Sequence, residues 1–596
     1  MKIKSLLLLF LVTFFALAQT PQEITDLGLK TEKEAFSTEK YMELPNPVAT
    51  NLQNWSSIKG IHIGWGTTDI RYKKEEPILH LETTKHLKAW KGERISAQIG
   101  ISNADKDIEI SVEVSDLKSG KNRISKEHFQ TAFVRYVMTD ELNKDGKGGC
   151  GYRKPTDFDS TLVADVLDHH TKKIEVANHS SRGIWLKMQI PQNTKAGNYK
   201  GFVTLKNRTK ILKKLPFEVQ VLQHTLPQPK DWKFHLDLWQ NPYAVARYFG
   251  VTPWSEAHFE HLKREMKPYA DAGGKSITAS IMYEPWGGQT QDSFNSMVMW
   301  MKKLDGSWHF DFAVFDKWIE FMHEMGITKQ INCYSMVPWK LSFQYFDQAT
   351  NQLQVIKTQP GEPEYETMWT AMLTAFAKHL KTKGWFEKTY ISMDERPKEV
   401  MQKVLKIIKN ADPNFKISLA GDWHQELEPY LDDYCVPLST KYEQKVLEKR
   451  QQRGKVTTYY TCCTEPYPNT FTFSKPAESE WLAWYAAKDN LDGYLRWALN
   501  SWTSEPLLDS RFRAWAAGDT YLIYPMGRSS VRFERMVEGI QFYEKVNILR
   551  EEFHQKQNTE ALKKIENVLQ LFDENTLPQN PASEVTKKAR EVINSL

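Results

Sequence analysis

From Trp232 to about residue 500 the chain repeats one pattern, and that pattern limits its fold more than any other feature. A short apolar run is followed by a longer stretch with helical periodicity, and then by another apolar run. The apolar runs fall at 233–239, 276–281, 330–333, 389–393, 417–420, 434–437, 456–460 and 493–497. Helical spacing is clearest at 255–270, 312–325, 368–383, 397–409 and 477–489, with Pro253 and Gly326 as start and stop signals. Strands separated by helices pair in parallel, because a tight hairpin cannot return the chain in the same direction. Eight such units predict a (β/α)8 barrel of the TIM type.

The chain upstream has a different rhythm. Ile108, Ile110, Val112 and Val114 alternate with polar residues, and similar runs occur at 183–190, 196–205 and 215–222. Period-two alternation broken by turn residues predicts an antiparallel β-sandwich. The joint Leu226-Pro-Gln-Pro-Lys230 separates the two regimes. The expected organisation is a signal peptide at 1–18, a sandwich at 19–228, the barrel at 229–553 and a helical extension at 554–596. A chain of 596 residues is too long for one core, so a division of this kind is required.

The first residues predict export. Lys2 and Lys4 precede an apolar run at 6–15, and Ala16-Leu17-Ala18 fits a cleavage site. No cysteine follows that site directly, so the lipoprotein pattern is absent, and no other stretch is apolar enough to span a bilayer, so a periplasmic or secreted protein is expected. Net charge is +5, or +3 without Lys2 and Lys4, and it is dispersed, which argues against nucleic acid as a partner. The five cysteines, Cys150, Cys333, Cys435, Cys462 and Cys463, suggest neither a disulfide framework nor a zinc site. Cys462-Cys463 reads as two neutral thiols, with a strained vicinal disulfide as the alternative. His169-His170, with Asp165 and Asp168 upstream, match no metal spacing and read as solvated surface. The glycine-rich run 145–150 lacks phosphate-loop spacing and reads as a surface loop.

A barrel of this kind carries its functional residues beyond the C-terminal ends of its strands. Trp286, Tyr334, Trp339, Asp422 and Trp423 stand there, Trp239 and Trp497 end their strands, and the chain is rich in tryptophan. Indole faces stack on the C–H faces of sugar rings. The fourth strand ends in Asp394-Glu395, followed by Pro397. Adjacent carboxyls raise each other's pKa, and one acid beside one anion is the equipment of glycoside hydrolysis.

Three segments carry a family resemblance: Ser392-Met-Asp-Glu-Arg-Pro397, Asn332-Cys-Tyr-Ser-Met336, and Arg496-Trp-Ala-Leu-Asn-Ser-Trp502 with Pro506, Asp509 and Gly518-Asp-Thr-Tyr-Leu-Ile-Tyr-Pro525. Together they resemble glycoside hydrolase family 123, the exo-β-N-acetylgalactosaminidases. The resemblance implies a sandwich joined to a barrel, and retention assisted by the substrate's own 2-acetamido group. Asp394 would stay anionic and orient that group, while Glu395, with a raised pKa, would act as acid and then base. Tyr334 is the candidate for holding the acetamido carbonyl, Trp286 and Trp497 for stacking, and Trp239 and Asp422 for the rest of the sugar site. No metal or cofactor is implied. The expected partner is a glycan or glycosphingolipid ending in β-linked N-acetylgalactosamine. Successive strand residues point to opposite sides, so both carboxyls can share a pocket only if the chain turns directly after Met393. The alternatives are a β-N-acetylglucosaminidase of the same mechanism, a conventional glycosidase using Asp237, Asp422 or Asp509 as its partner carboxylate, and a non-catalytic exported carbohydrate-binding protein.

Overall fold

The computed structural model describes residues 41–140, 150, 160–512, 515–577 and 579–596, and every feature below lies in the compact unit Met42–Leu596. The signal segment and residues 145–149 of the glycine-rich run lie outside the described residues.

The N-terminal part is strand-rich. One six-stranded sheet runs Ile61–Trp65, Arg94–Asn103, Ser180–Gln189, Phe129–Thr139, Thr161–Asp168, with Ser529–Ser530 added at its edge. A seven-stranded sheet is built on Lys85–Lys91, Lys210–Thr225, Gly197–Asn207, Ile108–Val114 and Lys173–Val176. Their shared core takes Trp65, Ile99 and Ile184 from one sheet and Ile110, Val203 and Phe217 from the other. The antiparallel expectation fails at one place, because Lys210–Thr225 runs parallel to Lys85–Lys91.

All eight strands expected downstream are present: His235–Leu238, Ser276–Ser280, Gln330–Tyr334, Thr389–Asp394, Lys416–Ala420, Asp433–Pro437, Val456–Tyr460 and Gly493–Arg496. They form one parallel sheet in which the first strand pairs with the eighth. A bridge between Leu236 and Gly274 brings the first strand against the lead-in to the second, so the barrel is nearly closed. Gly493 shows how tightly the first and eighth strands meet, since a Cβ there would lie 2.0 Å from the His235 carbonyl oxygen. The full (β/α)8 alternation is not repeated all round. Between the fifth and sixth strands there is only the 3-10 turn Glu428–Tyr430, because 421–432 is too short for a turn and a helix together. The second and third connections are instead enlarged. They contribute Met299–Lys302 with Trp308–Asp311, and Ser342–Asp347 with Gln352–Lys357, which join in a separate four-stranded sheet. The segment 518–525 consists of turns with isolated bridges.

The strand-rich part is locked to the barrel by buried ion pairs. Asp165 meets Arg71 at 2.7 Å and Arg532 at 2.9 Å, and Asp168 meets Arg528 at 2.8 Å. Both aspartates are fully buried, so the reading of this stretch as solvated surface is overturned. It failed because two of the partner arginines, Arg528 and Arg532, lie more than three hundred residues away in sequence. Burial pushes the Asp165 carboxyl up, but Arg532 and then Arg71 outweigh it and hold it below the ordinary carboxylate value. Replacing Arg532 with methionine would leave that buried charge to Arg71 alone. We expect a loss of about 3–5 kcal/mol of stability, read from denaturant unfolding at neutral pH. That loss should shrink as pH falls and Asp165 takes up a proton.

Candidate active site

The fourth strand carries the carboxyl pair to the barrel rim. Its last residue, Asp394, still pairs with Ala420 on the fifth strand. Glu395 then adopts a left-handed backbone with φ of 48°, while its N–H donates to the Ala420 carbonyl at 2.7 Å. A non-glycine residue in that region costs about 1–3 kcal/mol, and the turn it makes brings its side chain round to the side of Asp394. Pro397 follows as the N-cap of the helix Lys398–Ala411. Gly421 makes room for this turn, because a Cβ there would sit 3.1 Å from the Glu395 Cα and 3.3 Å from its nitrogen. Gly421→Ala should therefore displace Glu395 and lower kcat by about 10–100-fold with little change in KM, as steady-state kinetics would show.

Asp394 and Glu395 line a cavity of about 350 Å³. The strand ends contribute Trp239, Tyr460 and Trp497, and the enlarged second and third connections contribute Trp286, Gln289 and Trp339. Trp515 completes the wall, packing edge-on to Trp497 at 5.6 Å. Trp239 and Trp286 lie 5.0 Å apart. The Trp286 indole N–H is buried and has no hydrogen-bond partner among the described residues, so it is a donor available to a ligand.

Two residues assigned to substrate from the sequence do not line the cavity. Tyr334 is 2% exposed and packs behind Trp239 at 4.6 Å and Trp286 at 5.2 Å. Asp422 is exposed, and its carbonyl accepts from the Tyr434 hydroxyl. The alternative partner carboxylates are elsewhere too. Asp237 is buried beneath the site and accepts from Asn332 Nδ2 at 2.9 Å, while Asp509 is paired with Arg511 at 2.7 Å. Among the described lining residues, the carboxylates are Asp394 and Glu395.

Each of the pair has its own donor. Trp339 Nε1 donates to Asp394 Oδ2 at 3.1 Å, and the Tyr460 hydroxyl donates to Glu395 Oε1 at 2.9 Å. Arg396 lies 4.6 Å over the Trp339 ring and donates to the Asp394 carbonyl at 2.7 Å. Asp394 is half-buried and Glu395 exposed in the cavity. Burial, and then the charge of Glu395, push the Asp394 carboxyl up to about 7, against the pull of Trp339 and Arg396. Asp394 is the more enclosed of the two. Trp339 was placed at the rim without a role, and Tyr460 was not singled out in advance. Both stand just past strand ends, so position could have found them; Gln289 and Trp515 carry no such signal.

The cavity wall also holds an unforeseen cross-link. Cys463 forms a disulfide with Cys150 across 313 residues, leaving Cys462 as the thiol. This corrects the reading of two neutral thiols; cysteine spacing does not reveal a partner that distant. Burial, and then Glu465, push the Cys462 thiol up to about 12.

A carboxyl pair in an aromatic cavity at the C-terminal end of a parallel barrel is an arrangement suited to glycoside hydrolysis. Residues 239–549 match the family model of the glycoside hydrolase 123 catalytic domain, and residues 65–207 match that of the glycoside hydrolase 123 N-terminal domain. The chain belongs to glycoside hydrolase family 123. Among solved structures it is similar to a family 123 glycoside hydrolase from Clostridium perfringens, described for its hydrolysis of glycolipid glycans. The two share 28% identity and a TM-score of 0.81, over 90% of this chain and 97% of that one. A family 39 glycoside hydrolase from the gut symbiont Bacteroides cellulosilyticus is a looser match, with 10% identity and a TM-score of 0.33 over 76% and 81% of the two chains. No curated protein matches the chain.

Proposed function

We propose that the protein is an exo-acting, retaining β-N-acetylgalactosaminidase in which the substrate's 2-acetamido oxygen is the nucleophile. The observation that carries this reading is the placing of the carboxyls. Asp394 and Glu395 are neighbours in sequence, and no third carboxylate is found among the described lining residues. A conventional retaining site needs two carboxyls facing each other across the glycosidic bond. With both on one wall, the nucleophile is best supplied by the sugar.

Asp394 accepts a hydrogen bond from the acetamido N–H, turning the carbonyl oxygen toward C1 and balancing the charge that develops on the oxazolinium ion. That bond favours the anionic form of Asp394, so substrate binding hands the proton of the pair to Glu395. Glu395 then protonates the leaving oxygen and later deprotonates the incoming water. Tyr460 holds the Glu395 carboxylate between those steps, and Trp239, Trp286 and Trp497 supply stacking faces. The cavity volume suits one terminal sugar, which favours exo action. The glycolipid activity of the clostridial relative favours a glycosphingolipid or related glycan as substrate. Export, expected from the N-terminal segment, would bring the enzyme to such substrates outside the cell. The mechanism asks for no metal or organic cofactor.

The test pairs an aryl β-N-acetylgalactosaminide with a thiazoline analogue of the oxazolinium ion. Turnover with tight competitive inhibition is expected. Turnover without inhibition would point to a conventional mechanism, and faster turnover of the gluco epimer would reassign the sugar.

A further inference from the structure

The four-stranded sheet built from the second and third barrel connections is apolar on its inner face and carries an apolar patch on its outer face, where Met299, Leu353 and Val355 stand among His309, Asp311 and Gln344. Its inner face holds Trp300, Phe310, Phe343 and Ile356, all buried. Trp300 packs on Trp369 at 4.9 Å and Phe343 on Tyr365 at 5.6 Å, over the first turns of the helix Pro363–Lys383. A sheet covered by a helix on one side is expected to be polar on the other. Here the register sets Met301 opposite Phe346 and Phe346 opposite Leu353 on the outer face, with Met299 and Val355 on the same side. Met299, Leu353 and Val355 are 47%, 65% and 52% exposed, and Leu304, on the adjoining turn, is 73% exposed.

We infer that this face docks on the surface of a lipid bilayer, holding the catalytic cavity against substrates anchored there. The inference builds on the glycolipid reading above. The position supports it, because the connections that form the sheet also supply Trp286, Gln289 and Trp339 to the cavity. Trp339 precedes the strand Ser342–Asp347 by three residues, so the sheet starts within about 10 Å of the cavity wall. The exposed apolar side chains, Met299, Leu304, Leu353 and Val355, suit hydrocarbon, and the face lacks the tryptophan, tyrosine and arginine anchors of protein interfaces. Charge supports it as well. Lys303, Lys340 and Lys357 are exposed around the face and suit anionic headgroups. Three acids lie beside them and offset part of that charge: Asp311, opposite Met299 on the outer face, and Asp305 and Asp347, which are engaged in turns. Asp305 accepts from the Ser307 N–H at 2.9 Å and hydroxyl at 2.6 Å, and Asp347 from the Ala349 N–H at 3.1 Å.

The test uses the whole protein and phosphatidylcholine vesicles, with and without phosphatidylserine, in a sedimentation assay. The wild type should sediment with the vesicles, more strongly when phosphatidylserine is present. Leu353→Asp with Val355→Asp should cut binding by about tenfold or more. The same pair should slow hydrolysis of a vesicle-embedded glycolipid ending in β-N-acetylgalactosamine, and leave a soluble aryl glycoside unaffected. Leu304→Ser, on an exposed turn, should weaken binding about threefold and covers the case in which the double variant does not fold. Absence of wild-type binding to either vesicle would overturn the inference. So would a wild-type dimer that the double variant converts to monomer, since the face would then join two copies. Lack of soluble-substrate turnover would overturn the glycosidase reading while leaving the vesicle result to stand or fall alone.

Discussion

Glu395→Gln should reduce kcat on natural glycans by about 10²–10⁴-fold, the usual share of a general acid–base residue. Sugar leaving groups depart poorly without a proton. A nitrophenyl leaving group barely needs one, so its glycoside should lose about tenfold or less in the step that forms the oxazolinium ion. Deacylation-like opening of that ion still needs a base, and an added nucleophile such as azide should restore turnover of the aryl substrate. The comparison is between two substrates on one variant, so partial misfolding cannot mimic it. Equal losses on both would remove Glu395 from the acid role.

Asp394→Asn should act differently. Its task, orienting the acetamido group and balancing charge, is the same for every aglycone, so both substrate classes should lose about 10²–10³-fold. A second effect follows from the enclosure of the carboxyl. The native protein holds a proton on Asp394 up to about pH 7, whereas an unfolded aspartate releases it near the ordinary value of about 4. Between those limits the folded state binds more protons than the unfolded one, so this site's contribution to stability declines as pH rises through 7. Asparagine carries no charge at either end. The variant should therefore gain on the wild type between pH 5 and 8, by about 1–3 kcal/mol after allowing for cavity water around the carboxyl. Thermal midpoints at the two pH values would show it. A constant difference across that range would mean that Asp394 is already ionised at pH 5.

The barrel strands were legible because burial on both sides writes a short apolar run into the sequence, and all eight runs became strands. The missing helix between the fifth and sixth was not, because a short polar connection looks alike whether or not it coils. The Asp394-Glu395 pair was legible from its place at a strand end. How deeply each of the two is enclosed was not, since that depends on the turn at Glu395 and on the walls around it. Tyr334 illustrates the limit of positional reasoning: it ends the third strand as expected, yet Trp239 and Trp286 stand between it and the cavity. The buried aspartates at 165 and 168 and the cysteine at 463 share another limit, for each is defined by a partner hundreds of residues away.

The bond between Cys150 and Cys463 bears on how this enzyme could be taken apart. The loop it closes begins in the strand-rich part and ends after the seventh barrel strand, and the sheet edge at Ser529–Ser530 crosses back the other way. A catalytic barrel excised at the proline-rich joint would lose a piece of its own cavity wall along with its neighbour. The two parts can be drawn as modules, but they are not interchangeable cassettes, and a transplanted barrel would have to bring its sandwich with it.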